Sequence, residues 1–208
     1  MYDRFIERLS VSKYKDSFIL KGESYLSTLF GVENRTTMDI DTTFRNANFN
    51  EETIVKMIKE KFHIDIATGD PITPKEINYK HKPIMGDRYV KLWTYNIETV
   101  LAEKLETILS RVELNGRMRD FYDIYLIYTK DWSNINLEHF IKAIEKNFYK
   151  REYIGDPFVA LNIIKNSEVL KERWNKYQKT FSYARGMNSD EIMECLEKLI
   201  EQFETVGV

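Results

Sequence analysis

The sequence predicts an α+β protein: a small mixed sheet with helices over residues 1–95, followed by a helical bundle over 96–208 packed against it. Three observations predict this. Short strand-like segments alternate with amphipathic ones up to about Asn96, and beyond it every periodic segment has helical spacing. The 8 glycines and 4 prolines are few and mark the joints, with no Pro/Gly-rich linker between the halves. A chain of 208 residues that is 43% hydrophobic and 31% charged has the composition of a folded core rather than of disorder.

Taken in order, Tyr2–Leu9 carries apolar residues at 2, 5, 6 and 9, a short amphipathic helix. Phe18-Ile19-Leu20 reads as a buried strand. Gly22 breaks it, and Ser24 is placed to cap a helix running to Phe30 and ending at Gly31. Met38–Phe44 alternates as a strand, Glu51–Phe62 is helical, and His63–Ala67 is a strand before the turn Gly69-Asp70-Pro71. Arg88–Trp93 is one more strand. The helical half follows as Glu98–Val112, Arg119–Tyr128, Leu137–Phe148, Phe158–Asn166, Ser167–Gln178 and Ser189–Phe203.

Composition excludes several classes. Net charge is -2, so nucleic-acid contact has to come from a local patch. The single cysteine, Cys195, excludes an internal disulfide and fits a reducing cytoplasm. No apolar run approaches the ~20 residues of a membrane helix. The charged opening MYDRFIERLS has no apolar core of the kind a secretory signal needs. His63, His81 and His139 are scattered, without a zinc spacing. Serine-hydrolase, P-loop and dinucleotide fingerprints do not occur.

The residues that point to chemistry begin with Asp39-Ile40-Asp41. In a strand these two aspartates share a face about 7 Å apart, with Ile40 in the opposite layer. They form either a solvated edge or a site for a hard cation such as Mg²⁺ or Mn²⁺, which accepts one or two carboxylates plus substrate phosphates. Upstream, Lys21-Gly22-Glu23-Ser24 joins a strand end to a helix start. Gly22 and Ser24 there are either a plain cap or a phosphate cradle. Asp65, between Ile64 and Ile66, is either an exposed strand acid or the third carboxylate of the site. Asp70 reads as a turn residue.

Lys104 lies on or beside the apolar stripe Leu101, Leu105, Ile108 and Leu109, so it either snorkels to solvent or meets an anion. Asp120 and Asp123 share a helix face. Asp120 is positioned to hold Lys104 or a substrate hydroxyl, and Asp123 to hold a buried arginine. Between 75 and 91, Lys75, Lys80, Lys82, Arg88 and Lys91 cluster with Tyr79 and Tyr89. That stretch is either a solvated loop or a surface that tracks phosphates and stacks bases.

Four segments together resemble the AbiEii/AbiGii-type toxin nucleotidyltransferases of the DNA polymerase β-like superfamily. They are Phe5–Ser10 with Phe18–Gly22; Gly22–Ser24 with Arg35–Asp41; Glu98–Arg111; and Arg117–Tyr125, covering about residues 5–128. The resemblance implies a nucleotidyltransferase sheet and a metal-dependent transfer of a nucleotide from an NTP. It implies an acceptor such as the 3′ end of tRNA or another RNA, a toxin or phage-defence role, and a separate antitoxin. On that reading Asp39, Asp41 and Asp65 bind metal, Gly22, Ser24 and Lys104 bind the triphosphate, and Asp120 or Asp65 orients the acceptor hydroxyl. One residue departs from the pattern: Glu23 stands where the family usually has a second glycine. Two rival readings follow, a catalytically degenerate nucleotide- or partner-binding module of the same fold, and a phosphotransferase that moves the γ-phosphate.

Overall fold

The computed structural model describes residues 2–31, 40–45, 64–82 and 88–204. Met38, Asp39, the helix expected over Glu51–Phe62 and His63 lie outside the described residues. The chain divides into two compact units, Met1–Asn96 and Ile97–Val208.

The first unit is built on a five-stranded mixed sheet: β1 (Phe18–Leu20), β2 (Ile40–Phe44), β3 (Ile64–Thr68), β4 (Ile77–His81) and β5 (Val90–Thr94), in the order β3-β2-β1-β5-β4. The β1–β2 and β4–β5 pairs are antiparallel, and β1–β5 and β2–β3 are parallel. Alternation assigns the two faces. Phe18, Leu20, Ile40 and Leu92 lie on one face, with Phe44, Ile66 and Val90 at its margin, and they pack with Phe5, Ile6 and Leu9 of α1 (Tyr2–Ser10). Each such side chain contributes roughly 1.5–3 kcal/mol when fully buried. Tyr79 and His81 of β4 pair with Leu92 and Val90 and so share this face. They meet α2 (Gly22–Phe30), through a 5.3 Å edge-on contact of Tyr25 with Tyr79 and a 3.1 Å hydrogen bond between Thr28 and His81. The helices thus cover one face, and Ile19, Asp41, Thr43, Asp65 and Trp93 belong to the other.

β4 places residues 77–81 in a strand, against the solvated-loop alternative for that part of 75–91. Its exposed residues, Asn78 and Lys80, alternate with half-buried Ile77 and Tyr79 and buried His81. Polar and lysine side chains are what an edge strand carries to avoid pairing with other chains, and they obscure a strand's apolar signal.

The second unit is helical: α3 (Ile97–Arg111), α4 (Met118–Asp131), α5 (Leu137–Lys150), α6 (Pro157–Asn166), α7 (Glu168–Thr180) and α8 (Ser189–Glu204). α3 is buried on nearly every side, with Glu98, Lys104 and Glu106 among its buried residues, and packs on α4 and α5. Side-chain caps define the starts. Asn136 accepts from the His139 amide at 3.0 Å, Asp156 from Phe158 and Val159 at 2.8 and 3.2 Å, and Ser167 from Leu170 at 3.3 Å. Each cap contributes about 1 kcal/mol.

Candidate functional site

In the first unit, parallel pairing of β2 with β3 sets Asp41 directly beside Asp65. Neighbouring strands are about 5 Å apart, and residues opposite one another share a face. Asp41 is half-buried and Asp65 exposed. Two carboxylates this close repel unless a cation lies between them. Among the described residues no group of three or more His, Cys, Asp or Glu side chains is placed to hold a metal. The Asp41–Asp65 pair still suits Mg²⁺, whose sites use hard oxygen donors, one or two carboxylates and the substrate's phosphates. Asp39 lies outside the described residues.

The turn next to this pair is tied to it through the backbone. The Lys21 amide donates to the Asp41 carbonyl at 2.9 Å, and α2 starts at the next residue, Gly22. Lys21, not Ser24, is the N-cap, and its side chain makes no capping bond. Ser24 is the third helical residue and fully buried. It stands too far into the helix to accept from the amides that a cap satisfies. Glu23 is half-buried in the first turn, where the helix dipole favours an acid.

A residue read as part of a turn proves to be a hydrogen-bond centre. Asp70 Oδ2 accepts from Lys21 Nζ at 2.6 Å, Thr43 Oγ1 at 3.1 Å and Tyr95 Oη at 3.3 Å. Thr43 and Tyr95 hydroxyls lie 2.8 Å apart. Burial pushes the Asp70 carboxyl pKa up, but Lys21, with the two hydroxyls, outweighs it and holds the group below its ordinary value. The partners are 49, 27 and 25 residues away in sequence. Nothing in the local pattern signals them, beyond Lys21 adjoining Gly22 and Asp70 following a glycine turn.

In the second unit, Lys104 of α3 does not snorkel. It is buried, with Nζ 2.8 Å from Asp120 Oδ1 and 2.6 Å from Asp123 Oδ2 on α4. Arg117 Nε adds 2.9 Å to Asp120 Oδ2. Asp120 and Asp123 are 2% and 0% exposed, so the two acids and Lys104 compensate one another away from water, with Arg117 reaching Asp120 from the exposed side. Asp123 is thus a partner of the lysine: the three-residue spacing turns both carboxylates toward α3. This cluster can hold a lysine at fixed position and present a carboxylate to a polar group.

The basic stretch is divided by the sheet. Lys80 and Lys91 are paired across β4–β5 and exposed, with Lys75, Lys82 and Arg88 exposed around them. Tyr79 is committed to Tyr25, which leaves Tyr89, 62% exposed, as the accessible ring.

A family model described as "Nucleotidyl transferase AbiEii toxin, Type IV TA system" matches residues 45–198. That span includes Asp65, Asp70, Lys104, Asp120 and Asp123 and begins after Gly22, Ser24 and Asp41. Two Helicobacter pylori crystal structures resemble the chain at low identity. One, of a proposed nucleotidyltransferase, is 13% identical, with 99% of this chain and 94% of that chain covered and a TM-score of 0.45. The other, of JHP933, is 15% identical, with 99% and 93% covered and a TM-score of 0.41. No curated protein matches the chain.

Proposed function

We propose that this chain, which belongs to the AbiEii nucleotidyl transferase toxin family of type IV toxin–antitoxin systems, performs a divalent-metal-dependent transfer of a nucleotide from an NTP to RNA. Its activity is nucleotidyl transfer; the metal, the RNA acceptor and the residues in named roles are the proposal. The observation that carries it is the in-register placement of Asp41 beside Asp65 on the face of the sheet opposite α1.

Asp41 and Asp65, with Asp39, would hold Mg²⁺, which when bound neutralises triphosphate charge and stabilises the attacking and leaving oxygens. Gly22 lets the backbone come close to phosphate, and the first-turn amides of α2, Ser24's among them, favour an anion. Lys21, held to Asp41 through its backbone, sets the turn against the carboxylate strand. In the helical unit, Lys104 serves as a nucleotide-binding cation and Asp120 as the group that orients or deprotonates the acceptor hydroxyl. Their mutual 2.8 Å contact keeps both from rotating away. Lys80, Lys91 and Tyr89 supply exposed positive charge and a ring suited to single-stranded RNA. A family of this kind implies a cognate antitoxin as partner. Among the described residues no helix is long and apolar enough to cross a membrane.

The test is incubation of the protein with total RNA, Mg²⁺ and each NTP in turn, labelled at the α- or the γ-phosphate. Incorporation of α-label alone, lost with EDTA and in Asp41→Asn and Asp65→Asn, supports the proposal. Incorporation of γ-label would replace it with phosphoryl transfer. Label appearing on protein instead of RNA would remove the RNA acceptor.

A further inference from the structure

We infer that Asp70 is a positioning residue for nucleotidyl transfer: one of its carboxylate oxygens holds the Asp41 strand, the phosphate turn and the end of β5 in a single geometry. The inference rests on the reading of Asp41 and Asp65 as metal ligands. It adds a residue to which neither the sequence pattern nor the family match gives a role.

Three donors from three separate elements converge on Asp70 Oδ2. Lys21 belongs to the turn before α2, Thr43 to β2, and Tyr95 follows β5. Thr43 and Tyr95 are 4% and 0% exposed, so their hydroxyls meet this acceptor and each other away from water. Thr43 stands two residues after Asp41 and points to the same face, about 7 Å along the strand. Lys21 is bonded twice into the same region, its amide to the Asp41 carbonyl at 2.9 Å and its ammonium to Asp70 at 2.6 Å. The connections close a ring: Asp41 to Lys21 through the backbone, Lys21 to Asp70, Asp70 to Thr43, and Thr43 back to Asp41 along β2. A shift of Asp70 is therefore transmitted to the distance between the carboxylate strand and Gly22. It does so without Asp70 touching metal or substrate.

Groups that orient metal-binding carboxylates in this way typically lose about 10- to 100-fold in metal affinity or activity when altered. Displacements of about 1 Å in a reacting geometry have effects of the same size.

The experiment uses the full chain with Asp70→Asn, Thr43→Val, Thr43→Ser, Tyr95→Phe and, as the control on the underlying reading, Asp41→Asn. Mn²⁺ affinity is measured by electron paramagnetic resonance in the presence of a non-hydrolysable NTP analogue. kcat and KM are measured with α-labelled NTP and total RNA. Asp70→Asn is expected to lose about 10- to 100-fold in Mn²⁺ affinity and in kcat, with KM for NTP changed less than about threefold. Thr43→Val and Tyr95→Phe, which remove one hydroxyl each, should move the same quantities in the same direction. Thr43→Ser restores the hydroxyl and should return them to wild type. Asp70→Asn combined with Thr43→Val should be no worse than Asp70→Asn alone, because both break one ring. Wild-type Mn²⁺ affinity and kcat in folded Asp70→Asn would overturn the inference. So would equal damage from Thr43→Ser and Thr43→Val, since packing rather than the hydroxyl would then matter. If Asp70→Asn does not fold, Thr43→Val and Tyr95→Phe decide by the same criteria. An inactive Asp41→Asn beside wild-type hydroxyl variants removes only the role of Asp70, whereas full metal binding and activity in Asp41→Asn removes both readings.

Discussion

Replacing Lys104 with methionine keeps the length and apolar stem of the side chain and deletes its charge. The structure sets the size of the effect. Lys104 is 6% exposed and contacts two carboxylates. Asp120 retains Arg117 at 2.9 Å, and Asp123, which is 0% exposed, loses an ammonium 2.6 Å away. Removing one partner of a buried ion pair costs about 3–5 kcal/mol, because the remaining charge is left in low dielectric. For a chain of this size, at roughly 2–4 °C per kcal/mol, the melting temperature should fall about 6–20 °C. Urea unfolding followed through Trp132 and Trp174, both in the helical unit, measures it. A second variant separates stability from chemistry. Lys104→Met with Asp123→Leu removes both charges and should recover most of the lost stability, while α-label transfer stays absent because the nucleotide-binding cation is gone. A loss below about 1 kcal/mol in Lys104→Met, the scale of an exposed pair, would refute the buried triad as the organising interaction. A double variant that labels RNA at the wild-type rate would refute the proposed role of Lys104 in nucleotide binding.

Glu23→Gly tests the departure from the family's turn. An acid in the first turn of α2 is favoured by the helix dipole, so the substitution should cost about 0.5–1 kcal/mol of stability. NTP–Mg²⁺ affinity by titration calorimetry should change less than about tenfold, or 1.4 kcal/mol; a larger gain would mean that Glu23 opposes the triphosphate. Asp70 has a depressed pKa in the folded state, so its contribution to stability is present above its ordinary value near 3.8 and is lost as pH falls through the lower folded value. Acid unfolding curves of wild type and Asp70→Asn should therefore converge below about pH 4, and parallel curves there would contradict the Lys21 pairing. Cys195 is buried, and burial pushes its thiol up to about 11. It should resist a disulfide-exchange reagent at pH 8 in the native protein and react once urea unfolds the chain; fast native reaction would mean that α8 opens locally.

Local pattern carried much of the fold because each element buries its own stripe. Phe5, Ile6 and Leu9 are apolar at helical spacing, and all three enter the core from α1. Ile192, Leu196, Leu199 and Phe203 do the same along α8. β4 was not legible, since an edge strand with Asn78 and Lys80 outward has too little apolar alternation to be separated from a solvated loop. At the candidate site, alternation was enough to set Asp41 apart from Ile40, and the sheet register added Asp65 as its neighbour.

Local sequence sets which residue types are available: carboxylates on strands flanked by isoleucines, a glycine turn ahead of them, a lysine beside an apolar helix stripe, and two aspartates three residues apart. Those facts depend on neighbours one to four positions away, where covalent geometry sets which side chains share a face. What each charge meets depends on how distant elements pack. Lys104 had two local solutions, solvent or an anion, and the packing of α3 on α4 selected Asp120 and Asp123. Asp70 had no local partner at all, and its role as an acceptor for Lys21, Thr43 and Tyr95 exists only because the sheet gathers residues 25 to 49 positions away onto one oxygen. Periodicity records burial along one element, whereas charge pairing between elements depends on how the chain closes on itself, and no spacing within a single segment encodes that.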